Sequence, residues 1–154
     1  MHIRPANAGD AAAINLLIEA VAPVSQQDFG PSGLINFIAP NSIEKIQARI
    51  ENPDYFTLLC ESDDRVVGII TVKTFNKVDQ LFVHPDYQRR GIARRLWQNA
   101  FDRIKAKGEA CEITVKSSTM GIPVYQSFGF ERSGNKGTIG DITFYPMSLH
   151  YGKQ

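Results

Sequence analysis

The sequence predicts an α/β protein, a single domain over residues 1–154 built on a mixed sheet. Three observations carry this. Apolar residues at helical spacing, Ile14, Leu17, Ile18 and Val21, mark an amphipathic helix early in the chain. Three strand-like segments then follow one another as a meander, YFTLLCE, RVVGIITVK and VDQLFV, separated by Ser-Asp-Asp and Phe-Asn-Lys turns. Last, a strand–helix–strand unit makes VDQLFV and CEITVK parallel neighbours joined by a crossover helix.

In chain order, His2–Ala6 reads as a short first strand, and Asp10 as the N-cap of the first helix. Val24–Pro40, bounded by Pro23 and Pro40 and holding Pro31, reads as an irregular, partly helical connection of a length that often carries function. Ser42 caps a second helix with Ile43, Ile46 and Ile50 on one face, stopped by Asn52-Pro53. After the meander, His84-Pro85 ends the third strand. Ile92, Leu96, Trp97, Ala100, Phe101 and Ile104 then repeat at helical spacing, with Gly108 as the C-cap. CEITVK is a strand, TMGIPVYQSFG a short helix closing on Gly129, FERS a short strand, and ITFYPMSL the final strand after a Gly-rich turn.

Composition narrows the function classes. With 154 residues the chain can bury about two-thirds of its unfolded surface. Contents of 43% hydrophobic and 21% charged residues are those of an ordinary globular protein. A net charge of +1 predicts no general attraction to nucleic acid or anionic membrane, so any anion site must be local. No apolar run approaches the roughly 20 residues of a membrane helix, and MHIRPANAGD lacks the apolar core of a signal peptide. Cys60 and Cys111 read as free thiols rather than a disulfide or zinc pair. The expectation is a cytoplasmic protein with no nucleic-acid or membrane partner.

The segment QRRGIA, Gln88 to Ala93, sits where strand turns into helix. A helix N-terminus offers unpaired N–H groups and a positive dipole end, Gly91 lets an anion approach the backbone, and Ala93 leaves the N–H groups uncovered. Arg89, Arg90 and Arg94 add positive charge around it. These residues suit a pyrophosphate, although a plain turn with solvated arginines has the same local sequence. Neither GxxxxGK[ST] nor GxGxxG is present, so two familiar phosphate loops are excluded.

The longer stretch LFVHPDYQRRGIARRLW, Leu81 to Trp97, resembles motif A of the GNAT superfamily of acyl-CoA-dependent N-acyltransferases: Q/R-x-x-G-x-G/A after a strand and a proline-containing turn. PVYQSFGF, Pro123 to Phe130, resembles that family's motif B, and IRPA before Asp10 its usual start. Where family members often carry Asn seven residues before the tyrosine, this chain has Ser118. The resemblance implies a central, mostly antiparallel sheet with one splayed parallel strand pair, flanked by helices. It implies acetyl-CoA as acyl donor, no metal, a primary amine as acceptor, and dimerisation through exposed sheet edges.

By the same resemblance, the backbone of Gln88, Arg89, Arg90, Gly91, Ile92, Ala93 and Arg94 cradles the pyrophosphate. The backbone of Leu81, Phe82 and Val83 pairs with the pantetheine arm, and Ser118 stands in the Asn position. Tyr125 becomes the general acid for the leaving thiolate. Asp79, at the same strand parity as Leu81 and Val83, is the candidate base. For the acceptor, the Val24–Phe37 segment offers Gln26, Asp28 and Phe29, with Phe144 beside them. A non-catalytic CoA-binding or sensor domain is the alternative reading.

Overall fold

The computed structural model describes residues 1–152. Strands β1 (His2–Pro5), β2 (Tyr55–Ser62), β3 (Arg65–Lys73) and β4 (Lys77–Val83) form the antiparallel half of the sheet. β4 meets β5 (Glu112–Ser117) in parallel, and β8 (Ile142–His150) continues antiparallel to β5. The short strands β6 (Glu131–Arg132) and β7 (Gly137–Ile139) both pair with β8. The order across the sheet is β1-β2-β3-β4-β5-β8-β6. The predicted meander, parallel pair and terminal strand are all present.

Among the described residues, five α-helices complete the fold: α1 (Ala11–Val21), α2 (Gly33–Ile38), α3 (Ile43–Glu51), α4 (Ile92–Lys107) and α5 (Gly121–Ser127). On one face of the sheet, Ile14, Leu17, Ile18 and Val21 of α1 pack with Ile46 of α3 onto Leu59 and Ile69. On the other, Ile92, Leu96, Trp97, Ala100 and Ile104 of α4 cover Val67, Ile70, Val72 and Ile113. Each fully buried Leu or Ile contributes about 1.5–3 kcal/mol of transfer free energy, so these two stripes fix both layers.

The first helical run is longer than its cap prediction implies. Asn7, not Asp10, caps a 3-10 turn (Ala8–Asp10) that leads into α1, and its side chain accepts the Gly9 N–H at 2.9 Å. Asp10 lies at the third position and accepts the Asn7 N–H at 2.8 Å, the reciprocal bond of a capping box. Its carboxylate also accepts hydrogen bonds from the two terminal Arg4 guanidinium nitrogens at 2.9 Å. The helical run Ala8–Asp28, with mean hydropathy 1.2, is long and apolar enough by length and composition to cross a membrane. The sequence expectation of no such run did not anticipate the 3-10 segments on either side of α1, which supply the length; α1 itself ends at Val21, as its periodicity predicts. In this fold its apolar face is core.

The connection between α1 and α3 is helical in three short pieces: a 3-10 segment Ala22–Asp28, α2, and a 3-10 turn Ala39–Asn41. The Gly-rich turn before the last strand is a hairpin, β7 returning into β8 through Gly140 (φ 56°) and Asp141 (φ 61°).

Candidate active site

β4 and β5 pair only at Lys77–Thr114 and Val78–Val115, and from Asp79 onward the two strands part. The separation begins at a β-bulge, where Thr71 pairs Gln80 but Val72 pairs Val78, leaving Asp79 without a partner on β3. The bulge overturns the parity placement of Asp79. Val78 packs in the same core cluster as Leu81 and Val83, although its number differs from theirs by an odd count.

Past the bulge, the His84 N–H bonds to Val67 O at 2.8 Å. Strand alternation therefore turns the N–H groups of Leu81 and Val83 away from β3, into the gap. The Gln88 side-chain amide reaches back to the Val83 carbonyl at 2.8 Å, fixing the loop against the strand end. Left-handed Arg89 (φ 62°) and Gly91 (φ 77°) then swing the chain into α4. The first helical bond joins Arg95 N–H to Gly91 O at 3.0 Å, and the N–H groups of Gly91, Ile92, Ala93 and Arg94 have no partner among the described residues.

A cavity of about 560 Å³ fills the gap, lined by Leu81, Phe82, Val83, Gln88, Arg89 and Ala93 at this end. Asp79, Ser118, Tyr125, Asp28, Phe29 and Phe144 line it further along. Tyr125 is 7% exposed and its ring is held edge-on by Phe130 at 5.4 Å and Phe128 at 6.1 Å. Both phenylalanines also pack on Trp97 of α4, so PVYQSFGF doubles as the clamp of α5 to α4. The Tyr125 hydroxyl makes no hydrogen bond to any described residue, and burial pushes its pKa well above the ordinary phenol value. Neither Cys60 nor Cys111 lines the cavity.

The family named Acetyltransferase (GNAT) domain matches residues 23–151. The chain belongs to this family. The GNAT fold appears equally in solved structures. A GCN5-related N-acetyltransferase of Rhodopseudomonas palustris superposes with a TM-score of 0.85 at 23% identity, covering 97% of this chain and 94% of that one. The PaiA N-acetyltransferase of Thermoplasma acidophilum, in complex with coenzyme A, gives 0.83 at 21% identity over 97% and 98%. The ribosomal-protein-S18-alanine N-acetyltransferase of Escherichia coli gives 0.71 at 16% identity over 99% and 95%. A search of curated protein sequences finds no match to this chain.

Within the GNAT domain the predicted residues are mostly brought together. Leu81, Phe82, Val83, Gln88, Arg89, Ala93, Ser118, Tyr125, Asp79, Asp28 and Phe29 share the cavity, while Ile92 is 2% exposed and offers only its backbone. The arginines divide. Arg89 faces the cavity, Arg90 lies over the Tyr87 ring at 4.9 Å, and Arg94 donates to Ser127 Oγ at 3.2 Å and covers Phe128. Ser118 Oγ accepts the Gly121 N–H at 3.0 Å, tying the start of α5 to the end of β5.

Two acceptor candidates are reassigned. Gln26 lies outside the cavity on the exposed side of the 3-10 segment, because that segment's winding turns Asp28 inward instead. Asp28 is 5% exposed, and its two oxygens take the Thr119 N–H at 3.0 Å and the Thr119 hydroxyl at 2.5 Å. It anchors the connection to the β5–α5 turn.

Sequence reasoning missed Gln80, which lines the cavity and links Thr71 (3.3 Å) to Asn41 (2.8 Å). Its signal was a glutamine inside an otherwise apolar strand end.

Proposed function

We propose that this GNAT domain transfers the acetyl group of acetyl-CoA to a primary amine by direct attack. The observation that carries the reading is one continuous cavity running from the unpaired N–H groups at the start of α4, along the free edge of β4, to the unpartnered Tyr125 hydroxyl. The residues fit the donor. Left-handed Gly91, beyond whose backbone a Cβ would meet nothing within 4 Å, leaves the helix start open to a pyrophosphate. The inward N–H and C=O groups of β4 suit an amide-bearing arm laid down as an added strand. When bound, acetyl-CoA supplies an activated thioester carbonyl.

The chain's own groups then act on protons and charge. The Val83 N–H, pointing into the gap, donates to the carbonyl oxygen as negative charge grows there. Asp79, whose carboxylate makes no bond to a described residue, takes a proton from the incoming ammonium, directly or through water. The nitrogen forms its bond to the acetyl carbon, the carbon–sulfur bond breaks, and Tyr125 gives its proton to the sulfur. The second proton shed by the nitrogen restores the Tyr125 phenol, so amide and CoA thiol leave and the first proton passes from Asp79 to solvent. Burial keeps Tyr125 protonated and available as a donor, and a thiolate expelled beside it, lacking water, becomes more basic too. Transfer through a covalent acyl-cysteine is disfavoured by the absence of both cysteines from the cavity lining.

Calorimetric titration with acetyl-CoA, paired with a thiol-release assay over a broad amine panel, tests the reading. Binding in the micromolar range with amine-dependent thiol release is expected. No heat and no melting shift at saturating acetyl-CoA would refute the donor site, and binding without turnover of any amine would favour the non-catalytic alternative.

A further inference from the structure

Resting on the acetyltransferase reading, we propose that the acceptor is a small primary amine with a single positive charge, carried on an aromatic or branched apolar skeleton. The acceptor half of the cavity is a wall of rings. Phe29 meets Phe37 at 5.3 Å, and Phe37 meets Phe82 edge-on at 5.7 Å. Phe144 closes the opposite side, its ring laid over Gly137, where a Cβ would come within 2.6 Å of it. Val21, Val24 and Ile142 fill the spaces between. Such a surface gains most from a flat apolar body that excludes water from it.

The charges argue against a polycation. Asp28 and Asp79 are the two acids lining the cavity, and the Asp28 oxygens are already engaged by Thr119. Asp79 is left to receive one ammonium, the one that reacts. A second ammonium would meet Lys116, whose Nζ stands 5.8 Å from the Phe144 ring centroid, instead of a carboxylate.

The rim argues against an extended peptide. The β7–β8 turn is latched to the α2 region by Gly30 N–H to Asp141 O at 2.7 Å and by Asn36 Nδ2 to Gly140 O at 2.9 Å. The Ser32 N–H (3.0 Å) and hydroxyl (2.6 Å) complete it on the Asp141 carboxylate. A chain crossing the acceptor side would have to break this latch.

The test measures thiol release at saturating acetyl-CoA with 2-phenylethylamine, tryptamine and isoamylamine against spermidine, kanamycin and a hexapeptide with a free N-terminus. At least a tenfold advantage in kcat/KM is expected for the first group. Phe29→Ala, or Phe144→Ala should that variant fold poorly, is expected to raise the KM for the preferred amine at least tenfold and leave the KM for acetyl-CoA within twofold. Preference for spermidine, kanamycin or the peptide overturns the inference while leaving the acetyltransferase reading intact. If no amine turns over, saturation-transfer NMR of 2-phenylethylamine on the CoA-saturated protein decides: a signal supports the inference and its absence overturns it. Failure of acetyl-CoA itself to bind, seen separately by calorimetry, overturns the underlying reading.

Discussion

Gly91 shows how much a single residue decides at this site. Its φ of 77° places it where any side chain is strained by roughly 1–2 kcal/mol. The space beyond its Cα is open, so the demand for glycine comes from the turn and from what must approach the neighbouring N–H groups. Gly91→Val is therefore expected to weaken CoA at least 30-fold in a calorimetric titration. Arg90→Ala, which removes an exposed guanidinium resting on Tyr87, is expected to weaken it only two- to threefold. Equal losses would show that the arginines, not the backbone, hold the pyrophosphate. Tyr125 carries the second residue-scale expectation. Its folded pKa lies above the unfolded value of about 10. Its contribution to stability is thus complete below pH 10 and is lost as pH rises through the folded value. The pH profile of kcat is expected to show no alkaline loss from Tyr125 before about pH 10, and an alkaline limb below pH 9 that vanishes in Tyr125→Phe would contradict this.

Among the elements, β3 and α4 set the position of the proposed anion site. Gly68 of β3 lies directly beneath α4, and a Cβ there would come within 3.0 Å of Ile92 Cγ2, 3.1 Å of Leu96 Cδ1 and 3.3 Å of Phe82 O. Gly68→Ala must lift the first turn of α4 or shift β4. A loss of about 1–3 kcal/mol in stability is expected by denaturant titration, together with weaker CoA binding, although Gly68 does not line the cavity. Retained CoA affinity would mean the helix start is not held by this contact. The hairpin latch acts at the other end. Asp141→Ala removes the acceptor of both Ser32 bonds, and is expected to raise the acceptor KM several-fold while leaving the KM for acetyl-CoA unchanged. Equal changes in both constants would place the latch's effect on the whole cavity instead.

At the scale of the whole molecule, the two helical layers and the splayed sheet form one support for the cavity, so donor binding couples to global stability. Ligand at 100 times its Kd adds about 2.7 kcal/mol, which a melting curve resolves. Much of this architecture was legible in the sequence. Ile14 to Val21 and Ile92 to Ile104 carry unambiguous helical periodicity, and the meander's strands are long and apolar. The segment around Gly91 was legible through its longer context, Leu81 to Trp97, and the separate Pro123 to Phe130 stretch, since QRRGIA by itself also fits a plain turn. What was not legible depended on tertiary geometry. The bulge at Asp79 arises from the register shift against Thr71 and Val72, so strand parity could not place that residue, although it lines the same cavity as Leu81 and Val83. Asp28 looked like a free acid until its partner Thr119, distant in sequence, was brought beside it. The β7 hairpin was hidden by glycines that read as turn. The proposed transfer depends on Tyr125 acting chemically and not merely packing. Thiol release by Tyr125→Phe, measured beside CoA affinity, tests this most directly: a fall of about 100-fold in kcat with Kd unchanged within twofold is predicted, and undiminished thiol release would contradict it.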